Sequence, residues 1–103
     1  MTGWGVAPMV VLSQRLAAIA SPQRMRIIVE LMTGQTHVSE LARRVGMSRA
    51  LLYMHLTKLE EAGFVRGHLT LSENGKALKL FELSDFSITI TPAAIAAALP
   101  EEN

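Results

Sequence analysis

The chain reads as mainly α with a small β-hairpin, in the order α-α-α-α-β-β-α. Three observations lead there. Up to Gly63 the apolar residues recur at helical spacing, and serine, proline and glycine punctuate the helix ends. After Gly63 the period shortens to alternation, in His68–Ser72 and again in Ala77–Leu80. Asn74-Gly75 stands between those runs, a strong hairpin signal because both central residues of a two-residue turn need positive φ.

Taken in order, Gly3 and Gly5 make residues 1–7 a loose arm. Residues 8–20 form a helix with Met9, Leu12, Leu16 and Ile19 on one stripe. Val10, Val11, Ala17 and Ala18 lie off that stripe. A helix apolar on more than one face must be buried on two sides, and in so short a chain the second side is expected to be another subunit. Ser21-Pro22 opens the next helix with a capping serine and a proline at its first position. Its inner residues are Ile27, Ile28, Leu31 and Met32, and Gly34 stops it. Val38 to Val45 is a short helix with Val38, Leu41, Ala42 and Val45 inward and Glu40, Arg43 and Arg44 outward, ending at Gly46. Ser48 caps a longer helix with Leu52, Leu56 and Leu59 inward, terminated by Gly63. Phe64-Val65 and the two alternating runs give the hairpin, residues 64–83. An extended stretch, Phe86 to Thr91, leads to an alanine-rich helix over residues 92–99, opened by Thr91-Pro92.

The 103 residues amount to one small domain, residues 1–103, and half of them are apolar. Without cysteine there is no disulfide framework, thiolate metal site or cysteine nucleophile. The apolar run Val6–Leu12 is broken by Pro8, whereas a membrane helix needs about 20 residues. The first fourteen residues carry no basic leader. A soluble, cytoplasmic protein with no membrane partner is the expectation.

The charge is unevenly spread. Residues 1–79 hold all ten basic side chains against five acids, and residues 80–103 hold four acids and no base. Between Leu41 and Leu59 stand Arg43, Arg44, Arg49 and Lys58 with no acid, the pattern either of a directional binding face or of a solvated basic one.

Residues 39–63 hold two helices joined by a tight glycine turn, with a serine cap on the second. That is the helix-turn-helix pattern. SPQRMRIIVELM, VSELARRVGMS, LYMHLTKLEEAGFVR and the Asn-Gly hairpin together resemble the winged-helix regulators of the ArsR (arsenic-repressor) type, from Leu16 to Leu83. The most specific pieces are Pro22 to Arg24, His55-Leu56 and Glu61 to Val65. The resemblance implies a winged helix-turn-helix fold and a dimeric repressor on double-stranded DNA. The helix from Ser48 would lie in the major groove, the hairpin would be the wing, and the first and last helices would form a homodimer. Val10, Val11, Ala17, Ile95 and Leu99 are the expected interface residues. The family's metal sensors carry cysteines on the helix before the recognition helix, or acids and histidines on the last helix. Neither is present here, so metal sensing does not carry over and no effector is visible.

The recognition helix can also be read from its own residues. With the leucines inward, Ser48, Arg49, Ala50 and Tyr53 face outward near its start, together with Met54. Arg49 can fork onto a guanine or hold a phosphate. Ser48 can cap the helix and meet a phosphate, and Ala50 permits close approach or touches a thymine methyl. Tyr53 and Met54 either reach bases or pack on the wing. Arg43 and Arg44, and Asn74 and Lys76 at the wing tip, complete the expected DNA face.

His37, His55 and His68 are 18 and 13 residues apart, with no local ligand pairing. His55 is expected to bond locally or contact a phosphate. Glu60 and Glu61 do not face each other on a helix, and no phosphate loop or nucleophile elbow appears. No cofactor and no enzymatic activity are expected. The alternative function is a winged-helix protein-interaction module without specific DNA readout.

Overall fold

A computed structural model describes residues 8–99, so the arm expected over residues 1–7 lies outside it. The elements run α1 (Pro8–Ile19), α2 (Pro22–Leu31), β1 (Thr36–His37), α3 (Val38–Val45), α4 (Arg49–Glu61), β2 (Val65–Leu71), β3 (Ala77–Leu83) and α5 (Pro92–Ala97). Ser21 caps α2 by accepting from the Arg24 amide at 3.3 Å, and Thr91 caps α5 through the Ala94 amide at 3.0 Å. Each cap satisfies an amide that the first helical turn leaves without a partner.

α2, α3 and α4 pack around one core of Ile27, Leu31, Leu41, Leu52, Leu56 and Leu59, closed by Phe64 just before the sheet and by Val65 and Phe81 within it. The three-stranded antiparallel sheet has the order β1-β3-β2. β1 pairs Thr36 with Phe81 and His37 with Leu80. The hairpin pairs Val65 with Leu83 through to Leu71 with Ala77. Gly67 stands opposite Phe81, and a Cβ there would lie 2.6 Å from the Phe81 ring. The glycine is what lets that ring lie flat across the strand.

Four sequence expectations are corrected. Met32 is not an inner residue. It follows α2 as its C-cap, where the chain turns away, and it is 71% exposed. The hairpin turn is not the two-residue type, because only Gly75 has positive φ (82°) and Asn74 does not. The Gly75 amide donates to the Ser72 carbonyl at 2.9 Å, and the Ser72 amide to that of Lys76 at 2.8 Å. Those bonds make a longer loop in which a turn is followed by one left-handed glycine.

In α1 the buried residue is Ala18, off the expected stripe, while Met9, Leu12 and Leu16 stay half-buried. Small Ala18 permits the close crossing, Ile19 of the stripe packs against the core, and Val10, Val11 and Ala17 are left exposed. Lastly, α5 stops at Ala97, short of Leu99, and buries none of its residues. The chain is elongated accordingly, 59 × 28 × 22 Å. Before α5, the extended segment returns over the core. There Phe86 meets Phe64 edge-on at 4.7 Å, and Arg15 of α1 lies 4.9 Å from the centre of the Phe64 ring.

Candidate nucleic-acid interface

The turn between α3 and α4 sets the geometry of the site. Gly46 ends α3 in the left-handed conformation, its amide bonded to the Ala42 carbonyl at 2.9 Å, and the Met47 amide bonds the same carbonyl at 3.1 Å. Two residues later Ser48 is extended and accepts the Leu51 amide at 3.1 Å. The serine hydroxyl thus starts α4 and fixes where its first turn points. Leu52, Leu56 and Leu59 are fully buried. Ser48, Arg49, Ala50, Tyr53 and Met54 are therefore left together on the outer side of the helix, all exposed.

Tyr53 does two things. Its ring meets Phe81 of the wing edge-on, centroids 6.5 Å apart, yet the residue stays 41% exposed. Met54 is 67% exposed and borders a cleft with Arg24, His55 and Lys58.

The basic residues differ in what holds them. Both Arg43 and Arg44 are tied to Glu40, Arg43 by a forked contact and Arg44 at 3.0 Å. These bonds hold the Glu40 carboxyl below the usual carboxylate range, with Arg43 the larger cause and Arg44 the next. Glu40 lies one residue before the acid-free stretch, so the segment charge overstates what α3 presents. Arg49 and Lys76, in contrast, take part in none of the ion pairs among the described residues. At the wing tip the Asn74 side chain bonds the Ser72 hydroxyl, which also accepts the Lys76 amide at 3.0 Å. Lys76 is thereby presented at the end of an ordered loop.

Sequence reasoning missed the contacts that hold α4 in place. On one flank the Glu60 carboxylate accepts the Gly67 amide at 3.1 Å. On the other, Arg24 Nε donates to His55 Nδ1 at 3.0 Å, and its Nη1 donates to the Ala18 carbonyl at 3.0 Å. His55 therefore bonds across to α2 and not locally. Burial, and then the nearby guanidinium, push its imidazole below the ordinary value. Pro22-Gln23-Arg24 and His55-Leu56 were visible as motifs, but nothing in their spacing pairs residues this far apart in the chain.

The residues expected at a dimer interface are on the surface: Val10, Val11 and Ala17 of α1, and Ile95 and Leu99 at the C-terminal end. No group of three or more His, Cys, Asp or Glu among the described residues could hold a metal ion. None of the described helices is long and apolar enough to cross a membrane.

Comparison with known proteins agrees with this geometry. Residues 21–66 match the arsR family of bacterial regulatory proteins. An uncharacterized HTH-type transcriptional regulator of Methanocaldococcus jannaschii is 33% identical over 73 residues, which is 71% of this chain and 76% of that protein. Reduced HlyU from Vibrio cholerae superposes with a TM-score of 0.59 at 25% identity, covering 88% of this chain and 81% of that one. A homodimeric winged helix-turn-helix DNA-binding domain from Mycobacterium bovis superposes with a TM-score of 0.61. It covers 71% of this chain and 63% of that one, and at 19% identity it bears on the fold alone. With the capped helix pair, the hairpin beside it and a relative this similar over most of its length, the chain belongs to the ArsR family of winged helix-turn-helix transcriptional regulators, a family of regulators and not of enzymes.

Proposed function

We propose that the protein is a dimeric repressor that reads a near-palindromic DNA site through the first turns of α4 and touches the backbone through its wing. The observation that carries this reading is the exposed first turn of α4, with Arg49 free of any ion pair among the described residues. Ser48, Arg49, Ala50 and Tyr53 are the base-side group, with Met54 at its edge. Asn74 and Lys76 meet the backbone or minor groove, and Arg43 and Arg44 add phosphate contacts once they leave Glu40. Support for the dimer comes from α1, apolar on its uncovered face, and from α5, which buries nothing within its own chain. The M. bovis domain of the same fold is homodimeric. A two-fold dimer would set two α4 helices about 34 Å apart, one turn of DNA.

A salt titration of duplex binding tests the electrostatic part. Log affinity should fall linearly with log salt, with a slope near −0.9 per phosphate neutralised. A protein-docking module remains the second reading, favoured by Leu69 and Leu71, both exposed on the wing. It predicts a flat titration. Sedimentation of a chain ending at Asp85 tests the dimer. Loss of the dimer is expected, and a truncated chain as dimeric as the full one would remove the last helix from the interface.

A further inference from the structure

Along α4, on the flank that carries Met54, Lys58 and Glu61, a cleft of about 470 Å³ opens between that helix, α1 and the first turn of α2. A second cleft of about 300 Å³ adjoins it, with Arg24 and Lys58 in the lining of both. Its size falls in the range of small-molecule sites, roughly 300–1,000 Å³. Three basic side chains, Arg15, Arg24 and Lys58, line the larger cleft against the single acid Glu61, which is 3.9 Å from Lys58.

Arg24 is fixed in advance. Its Nε and Nη1 are bonded to His55 and to the Ala18 carbonyl, and Nη2 has no partner among the described residues. Because His55 accepts at Nδ1, its one ring proton is on Nε2, which is buried with no acceptor among the described residues. A buried donor left unpaired is costly and calls for a reason. Between the charged groups the wall is apolar, formed by Val11, Ala18 and Ala62.

We infer that this groove binds a small organic anion with an apolar body, its acidic group held by Arg24 and Lys58. Since α4 forms one wall, an occupant would act on the helix that carries Ser48 and Arg49. That regulatory consequence rests on the DNA-binding reading, whereas the site itself does not.

The test uses the full chain and 8-anilinonaphthalene-1-sulfonate, an apolar anion of suitable size, followed by fluorescence. Val11 and Ala17, which line the cleft, also belong to the proposed dimer face, so the titration is run where sedimentation gives a single species. Saturable binding of one probe per chain is expected. Lys58→Gln should weaken it about fivefold and Arg24→Gln about tenfold. Lys58 is largely exposed, so its variant keeps the test sound if the Arg24 variant fails to fold. Arg26→Gln, on the far side of α2, should leave binding unchanged. The neutral analogue N-phenyl-1-naphthylamine should bind about tenfold more weakly. Non-saturable binding, equal affinity in Lys58→Gln, or a neutral analogue that binds as tightly would overturn the site. Duplex binding is then measured separately with the probe at saturation. An unchanged duplex affinity would refute the regulatory link and leave the site standing, and failure to bind duplex at all would refute the DNA-binding reading.

Discussion

Replacing Gly67 with alanine tests how the wing is attached to the rest of the fold. An added Cβ would lie 2.6 Å from Cε1 and 2.9 Å from Cζ of Phe81, and 3.0 Å from Cε of Lys79. Ordinary carbon contacts sit at about 3.5–4.0 Å, so the ring must move by roughly 1 Å. It has little room to do so. Phe81 is 2% exposed, the Tyr53 ring meets it edge-on, and the Lys79 ammonium lies 5.4 Å from its centre. Overpacking of this kind costs about 1–3 kcal/mol. Alanine recovers about 0.5–1 kcal/mol over glycine in a strand, because it loses less backbone freedom on folding. A net loss of about 0–2.5 kcal/mol follows from these two effects. Each kcal/mol lowers the melting temperature of a domain this size by roughly 4–8 °C.

In a Phe81→Leu background the ring clash is gone and only the contact with the flexible Lys79 side chain remains, so Gly67→Ala should cost markedly less there. Urea unfolding of the four variants gives the coupling between the two positions directly. Equal cost in both backgrounds would refute the explanation of Gly67 as the space that Phe81 occupies.

Other expectations concern charge. Arg49→Ala should cost about 1–3 kcal/mol on the protein's best DNA site, found by selection from a random duplex pool, and flatten the preference at one position, whereas Lys76→Ala should weaken all duplexes alike and reduce the salt slope by about 1; equal losses on specific and random DNA for Arg49→Ala would make it a backbone contact and leave Tyr53 as the main reader. Glu40→Gln frees Arg43 and Arg44 and should tighten binding to any duplex with a steeper salt slope, measured by the same titrations; an unchanged slope would show that the two arginines stay off the DNA. His55 has its pKa depressed in the folded state, so the unfolded chain binds its proton more readily. Its contribution to stability is therefore complete above the ordinary imidazole value and is lost as the pH falls below it. Melting temperatures between about pH 7 and pH 5 should accordingly fall less steeply for His55→Gln than for the native chain.

The sequence carried the helices and the outward face of α4 because those follow from short-range rules. Ser21, Ser48 and Thr91 are caps whose partners lie three residues away. The buried leucines of α4 announce themselves by spacing. The missed features depend on distant residues. β1 is two residues long, too short to show a period, and exists because β3 offers an edge to Thr36 and His37. Arg24 finds His55, and Glu60 finds Gly67, only after the helices have packed. The Asn-Gly dipeptide correctly announced a hairpin and misled on the turn, because the Ser72 hydroxyl takes the Lys76 amide and favours the longer loop. In α1, counting apolar residues placed apolar side chains on more than one face. It could not say which side the chain itself would use, since that was settled by the small size of Ala18 at the crossing.

The contacts along α4 bear on how the two parts of the proposed DNA face act together. On the wing side α4 is held twice, by Tyr53 against Phe81 and by Glu60 on the Gly67 amide. On the α2 side it is held through His55, whose partner Arg24 also grips the last turn of α1. All of these contacts begin at or after Tyr53, so the turn that carries Ser48, Arg49 and Ala50 is held by the Gly46–Met47 turn before it, the Ser48 cap and buried Leu52. That arrangement separates position from readout. The middle and end of α4 set its angle to the wing and to α1, and the first turn is left free to meet a ligand without breaking any structural bond. A dimer built through α1 would thus connect directly, through Arg24 and His55, to the angle at which each α4 is presented.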